Sequence, residues 1–224
     1  MFLRLEFVKP DEIENRSFAV IEEELSRTAP AHPEYEAMPE NQKLILKRVI
    51  HTTADFDYIQ NLKFSEHAVE KALQALKNGA CIVTDTNMTL AGIHKKSLQV
   101  LGGEVFCFMA DPDVAQQAKS RHVTRAMISM EKACMLQKEQ KKKLIFAIGN
   151  APTALYQLAE LIREKKIDPE LIIAVPVGFV NVVESKEMIM CSGVEYIAAQ
   201  GRKGGSTVAA AVCNALLYQL GRVK

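Results

Sequence analysis

This sequence has no surplus of charge: 28 Lys and Arg stand against 27 Asp and Glu, leaving a net charge of +1. With no strong field to hold a polyanion, a nucleic-acid or anionic-membrane partner is disfavoured. There is no CxxC pair either. The five cysteines, Cys81, Cys107, Cys134, Cys191 and Cys213, are an odd number scattered through apolar stretches, which predicts reduced, buried thiols and neither a zinc site nor a redox dithiol. No apolar run approaches the roughly 20 residues that cross a bilayer. The opening MFLRLEFVKPDE lacks the apolar core and small-residue cleavage site of a signal peptide, so a cytoplasmic location is expected. Repeats and Gly/Ser- or Pro-rich linkers are also missing, which predicts one domain over residues 1–224.

What is present changes character along the chain. Helices are predicted over 11–27, with Ile13, Phe18, Ala19, Ile21 and Leu25 on an apolar stripe, and over 40–52, with Leu44, Leu46, Val49 and Ile50 buried. Pro30, Pro33 and Pro39 punctuate the gap between them. A third helix, 65–78, is expected to begin at Ser65, turn Ala68, Val69, Ala72, Leu73 and Leu76 inward, and stop at Gly79. Five short apolar runs then alternate with helices: CIVTD (81–85), EVFCFMA (104–110), KLIFAIGN (143–150), LIIAVPVG (171–178) and EYIAAQGR (195–202). This pattern predicts an α/β fold, a mostly parallel open sheet with helices on both faces and the N-terminal helices packed on the same domain. Loops 85–88, 111–113, 149–153, 176–181 and 201–206 should then gather at one edge, where such sheets bind ligands.

Two of those loops resemble anion sites. GRKGGST (201–207) aims backbone N–H groups, a helix N-terminus, Arg202 and Lys203 at one spot, with spacing that fits neither a Walker A loop nor GxGxxG. The plainer reading, that Gly204 and Gly205 merely permit a tight turn, stands beside it. GNAPTAL (149–155) is built alike, and a purely structural turn is the simpler account there. His51 falls at a helix end, three residues after Arg48, so both project from one face; the helix C-terminus favours a protonated imidazole, Arg48 opposes it, and a cap on the last carbonyls is the plainer reading. His32, His67, His94 and His122 have no partner at ligand or triad spacing and read as structural. RSF (16–18) reads as solvated side chains, ESKE (184–187) as a charged first helical turn, and Lys141–Lys143 as a solvated loop. No serine sits in a GxSxG elbow.

Taken together and in order, RSFAVI (16–21), RVIHTT (48–53), TDTNM (84–88), AIGNAPTAL (147–155), PVGFV with ESKE (176–187) and GRKGGS (201–206) resemble the precorrin-8X methylmutase family. The resemblance implies a homodimeric α/β isomerase without cofactor. Such an enzyme moves a methyl group from C-11 to C-12 of precorrin-8X or cobalt-precorrin-8, giving hydrogenobyrinate or cobyrinate in cobalamin biosynthesis, and later enzymes of that pathway are the partners to which product would be transferred. The family's catalytic histidine falls on His51, and its substrate-contacting serine and arginine on Ser17 and Arg48; Thr52 and Thr53 carry no assigned role. Arg16, Asn87, Gly149, Asn150, Arg202, Gly204, Gly205 and Ser206 complete the candidate substrate-binding set. The final segment STVAAAVCNALLYQL, with small residues on more than one face, suits a dimer contact or an internal core helix. A non-catalytic tetrapyrrole carrier and a nucleotide-dependent enzyme are the competing readings.

Overall fold

The runs CIVT, LIFAI and LIIA are apolar at every position but the Thr of the first, because the sheet they form is covered on both sides. The computed structural model describes residues 7–28 and 32–223. Residues 1–6, which open the segment read as lacking a signal peptide, and Pro30 lie outside them. Four helices come first: α1 (Ile13–Thr28), α2 (Pro33–Glu36), α3 (Glu40–Thr53) and α4 (Tyr58–Asn61). They lead into β1 (Leu62–Phe64), α5 (Ala68–Lys77), β2 (Cys81–Thr84), α6 (Asn87–Gly92), α7 (Lys95–Val100) and β3 (Val105–Phe106). The remainder is α8 (Pro112–Arg121), α9 (Arg125–Gln140), β4 (Leu144–Ile148), α10 (Pro152–Arg163), β5 (Leu171–Ala174), α11 (Val182–Met190), β6 (Tyr196–Ala199) and α12 (Ser206–Gln219).

The sheet order is β1-β6-β5-β4-β2-β3, parallel throughout except for β1, which pairs antiparallel with β6. Alternate residues serve opposite faces, as a period of two requires. Ile82, Ile145, Ile173 and Ile197 meet α3, α5 and α12 on one side. Val83, Phe146, Ile172 and Ala198 meet α9, α10 and α11 on the other. The predicted α/β architecture is therefore present.

Several local expectations need correction. β1 is missing from the sequence reading, because three residues with mixed burial carry no periodic signal. EVFCFMA contributes only Val105 and Phe106, since this edge strand has a single neighbour and the chain turns at Phe108, whose carbonyl accepts from Asp111. Ser65 caps no helix: its hydroxyl donates to Glu195 Oε2 (2.5 Å) and accepts from Tyr196 N–H (2.8 Å), and α5 begins at Ala68. Ile21 and Leu25 enter the core from α1, whereas Ile13 and Ala19 are exposed; in α3, Ile45 is buried in place of Leu44. Of the free cysteines, Cys81, Cys134 and Cys213 are buried, but Cys107 is half-buried and Cys191 exposed. The last helix is an internal one. Val208 through Cys213 and Ala215 through Leu217 are all buried, with α12 packed on α3, α5 and α6, so its small residues are used within the chain.

Candidate active site

The short strand β1 delivers His51 to the carboxyl edge of the sheet. Leu62, at the start of β1, pairs with Ala199, at the end of β6, and Gln200 N–H donates to Asn61 O (2.7 Å). The segment before β1, with the C-terminus of α3, therefore arrives beside the loop that follows β6. His51 lies in the last turn of α3 and is exposed. The helix ends on Ala54, left-handed at φ 53°, which donates its N–H to Ile50 O (2.7 Å), while the Thr52 and Thr53 hydroxyls donate to the carbonyls of Arg48 (3.0 Å) and Val49 (2.9 Å); the imidazole takes no part in these bonds. The imidazole lines an open hollow of about 350 Å³ with Arg16, Ser17, Val20, Ile50 and Phe56. Ser17 donates to Ile13 O (2.9 Å) and keeps its oxygen lone pairs for a ligand.

Phe18 divides His51 from Arg48. Its ring centroid is 5.1 Å from that of His51 on one side and 4.7 Å from the Arg48 guanidinium on the other. Arg48 also lies over Tyr218 (5.2 Å), donates to Glu14 Oε1 (2.8 Å), and faces a second hollow with Leu44, Lys47 and Gln219. Glu14 holds Arg222 as well (2.8 Å). Its carboxyl lies below its ordinary range, because burial, which pushes it up, is outweighed by the two arginines. His51 and Arg48 thus share a helix but not a hollow, and Arg48 is already paired with a carboxylate that it shares with Arg222.

Among the described residues two charged side chains are buried in the core, and both hold loops at this edge. Asp85, fully buried at the end of β2, accepts the N–H groups of Gly149 (2.9 Å), Asn150 (2.8 Å) and Ala151 (2.6 Å). Burial raises its pKa against the pull of those three donors. The GNAPTAL turn is consequently not an anion site through Gly149 and Asn150 N–H: an internal carboxylate fills it. Lys186 is 1% exposed and donates to the carbonyls of Gly201 (2.8 Å) and Lys203 (2.8 Å). Burial pushes its ammonium down to about 8. The ESKE segment therefore contributes a core residue as well as a charged first turn.

The GRKGGS loop is tied down from several sides. Gly204 has φ +151°, and a Cβ there would lie 2.1 Å from Val175 O, so its glycine is required by close approach to β5. Gly205 spends its N–H on Val175 O (2.8 Å), and Ser206 shares its hydroxyl with Thr86 (2.9 Å), the cap of α6. These engagements weaken Gly205 and Ser206 as direct substrate contacts. Lys203 Nζ bridges Asp55 and Asp57 (2.6 Å each), just past the His51 helix. Arg202 is exposed, its guanidinium 5.4 Å from the Phe179 ring. Asn87 is exposed at the start of α6 beside Met88, and Val177, Phe179 and Val180 bring further exposed apolar surface to the same edge.

Sequence reasoning overlooked Phe18 as a divider, and Asp85 and Lys186 as anchors. A lone acid ending an otherwise apolar strand was a usable signal for Asp85; nothing local marks Lys186. The remaining histidines sit apart: His94 accepts from Ser97 N–H at the start of α7, His122 is a left-handed helix end, and His32 and His67 lie near Glu34 and Glu70. Among the described residues, no cluster of three or more His, Cys, Asp or Glu side chains is arranged to hold a metal ion, and no helix is long and apolar enough to cross a membrane.

Fold and edge together define the class: an open-sheet α/β protein whose ligand-facing loops cluster at the carboxyl ends of its strands. The family model for precorrin-8X methylmutase matches residues 12–219. Among curated proteins, the cobalt-precorrin-8 methylmutase of Salmonella typhimurium is 44% identical, covering 95% of this chain and 96% of that one. The precorrin-8X methylmutase of Pseudomonas aeruginosa is 36% identical, over 80% and 85%. The crystal structure of precorrin-8x methyl mutase from Thermus thermophilus superposes with a TM-score of 0.77 at 35% identity, covering 92% of this chain and 96% of that one. The chain belongs to the precorrin-8X methylmutase family. It is an isomerase, a methylmutase of cobalamin biosynthesis.

Proposed function

We propose that His51 donates the proton that drives methyl migration from C-11 to C-12 of precorrin-8X or its cobalt-containing counterpart. The observation that carries this reading is the exposed imidazole, outside the hydrogen bonds described at its helix end, facing a hollow shared with Ser17 and Arg16 at the ligand-binding edge. Protonating the macrocycle near ring C draws electron density out of the conjugated system and eases a sigmatropic shift in which the methyl group's bond to C-11 breaks as its bond to C-12 forms. The proton then returns to the imidazole, so the isomer leaves with the substrate's own atoms and His51 is ready again. Imidazole exchanges protons near neutrality, and a positioned acid of this kind contributes roughly 10²- to 10⁴-fold. A serine hydroxyl is too weak an acid, and an arginine holds its proton too firmly. Arg202 meets one carboxylate of the macrocycle's acetate and propionate rim, while Arg16 donates and Ser17 accepts at the edge nearest His51. Because the relatives' printed names include both the metal-free and the cobalt forms, side-by-side turnover of the two decides which this chain prefers.

A hollow of about 350 Å³ is small for a whole macrocycle, and the exposed Phe179, Val180 and Met88 lie at the same edge. Both support a homodimer in which the partner covers the ring. Sedimentation of a monomer at micromolar concentration removes that part, and handover of product to a later enzyme would be read as transfer without release. For the proton donor the test is His51→Asn in single turnover at saturating substrate: bound substrate spectra persist and conversion slows by the factor above. Near-normal conversion places the donor elsewhere and leaves the carrier surface to bend the ring alone.

A further inference from the structure

Lys186 is a costly residue to keep. Its side chain is buried with no carboxylate paired to it among the described residues, so the desolvation of its charge is offset only by two backbone carbonyls. Those carbonyls belong to Gly201 and Lys203, which flank Arg202, so the ammonium clamps the loop across its tip. The loop in turn grips the end of α3: Lys203 Nζ bridges Asp55 Oδ2 and Asp57 Oδ2, Asp55 N–H donates to Thr53 Oγ1 (3.3 Å), and Thr53 donates to Val49 O (2.9 Å). His51 lies between Val49 and Thr53 on that same turn. A continuous set of polar contacts therefore runs from the core of α11, through the loop after β6, to the turn that carries the imidazole.

We infer that Lys186 is a positioning residue: through the Gly201–Lys203 backbone and the Lys203 bridge to Asp55 and Asp57, it sets the placement of His51 against the substrate. The inference rests on the proton-donor reading above. It gives a physical reason for a buried cation where an apolar side chain of similar length would cost less to bury, because two carbonyls at fixed separation demand a donor reaching both. It also accounts for Lys203 turning back to two aspartates instead of outward to the substrate.

The test pairs Lys186→Met with Lys203→Met, which cuts the same connection at the surface and remains informative should the buried substitution fail to fold. Turnover is measured with metal-free precorrin-8X, and the His51 ring proton resonances are followed in the substrate-free protein. Each variant is expected to lower kcat about tenfold to a hundredfold with KM within about twofold, since a misplacement near 1 Å costs on that scale. The His51 resonances should shift in both, the double variant should be no slower than the slower single, and in a His51→Asn background neither substitution should reduce the residual rate further. Unshifted His51 resonances, a rise in KM without loss of kcat, or an equal further loss in the His51→Asn background overturns the inference while leaving His51 as donor. Unimpaired turnover by His51→Asn alone overturns the donor reading itself, whatever the lysines do.

Discussion

The carboxylate of Asp85 sits on the backbone of Gly149, whose N–H donates to its Oδ1 at 2.9 Å across 64 residues of sequence. Asn150 and Ala151 donate to Oδ2 from the same turn. Asp85→Asn replaces one accepting oxygen by an NH₂ that meets N–H donors head on. The expected loss is about 3 kcal/mol of folding stability, from bonds to a buried charge that cannot be remade. Urea denaturation measures it, and a variant as stable as the parent would mean that these bonds do not hold the turn.

Gly204→Ala should be equally damaging for a different reason. The added Cβ would lie 2.1 Å from Val175 O in a backbone at φ +151°, so β5 or the loop must move. A destabilisation of about 3 kcal/mol or more is expected, visible as a lowered thermal midpoint, whereas Gly201→Ala, with open space at its Cβ, should lose only what its positive φ costs, about 1 kcal/mol.

Arg202→Ala tests the exposed end of the same loop. A guanidinium that meets a rim carboxylate in ground and transition states alike contributes binding, not rate. KM is expected to rise about tenfold or more with kcat nearly unchanged, matching the worth of a charge-assisted hydrogen bond. Steady-state kinetics separates the two, and a fall in kcat at unchanged KM would give Arg202 a part in the rearrangement.

Lys186 also makes a statement about pH. Its ammonium is pushed down to about 8 in the folded protein from an ordinary 10.5, so between those values the unfolded chain binds more protons than the native one. Stability contributed at this site therefore rises with pH across that window. The stability of the parent relative to Lys186→Met should climb from about pH 8 to about pH 10.5 and stay level below it. Paired denaturant titrations over this range supply the check, and a difference independent of pH would contradict the burial of the charge.

Much of this molecule was legible because its signals are local. The runs CIVT, LIFAI, LIIA and YIAA announce buried strands by composition alone, and Gly79, at φ +77°, ends its helix as the residue type suggests. The methylmutase segments, in order, carried the family. The errors share another origin. Leu44 and Ile45 are adjacent and equally apolar, and only the position of α12 decides which is buried. Ser65 looked like a cap, but Glu195 and Tyr196, brought beside it by β6, outbid the helix for its hydroxyl.

The sequence by itself determined the α/β class, the parallel strands, the family, and the residue types available at the carboxyl edge, since periodicity, glycine placement and motif order are properties of neighbouring residues. Only the tertiary structure decided how those residues are used. It placed His51 at the edge through an antiparallel strand of three residues, set Phe18 between His51 and Arg48, filled the GNAPTAL turn with Asp85, and tied the GRKGGS loop to Lys186. The physical reason is that a backbone N–H or carbonyl must find a partner, and whether that partner is a ligand or another part of the chain is settled by which segments packing brings within about 3 Å.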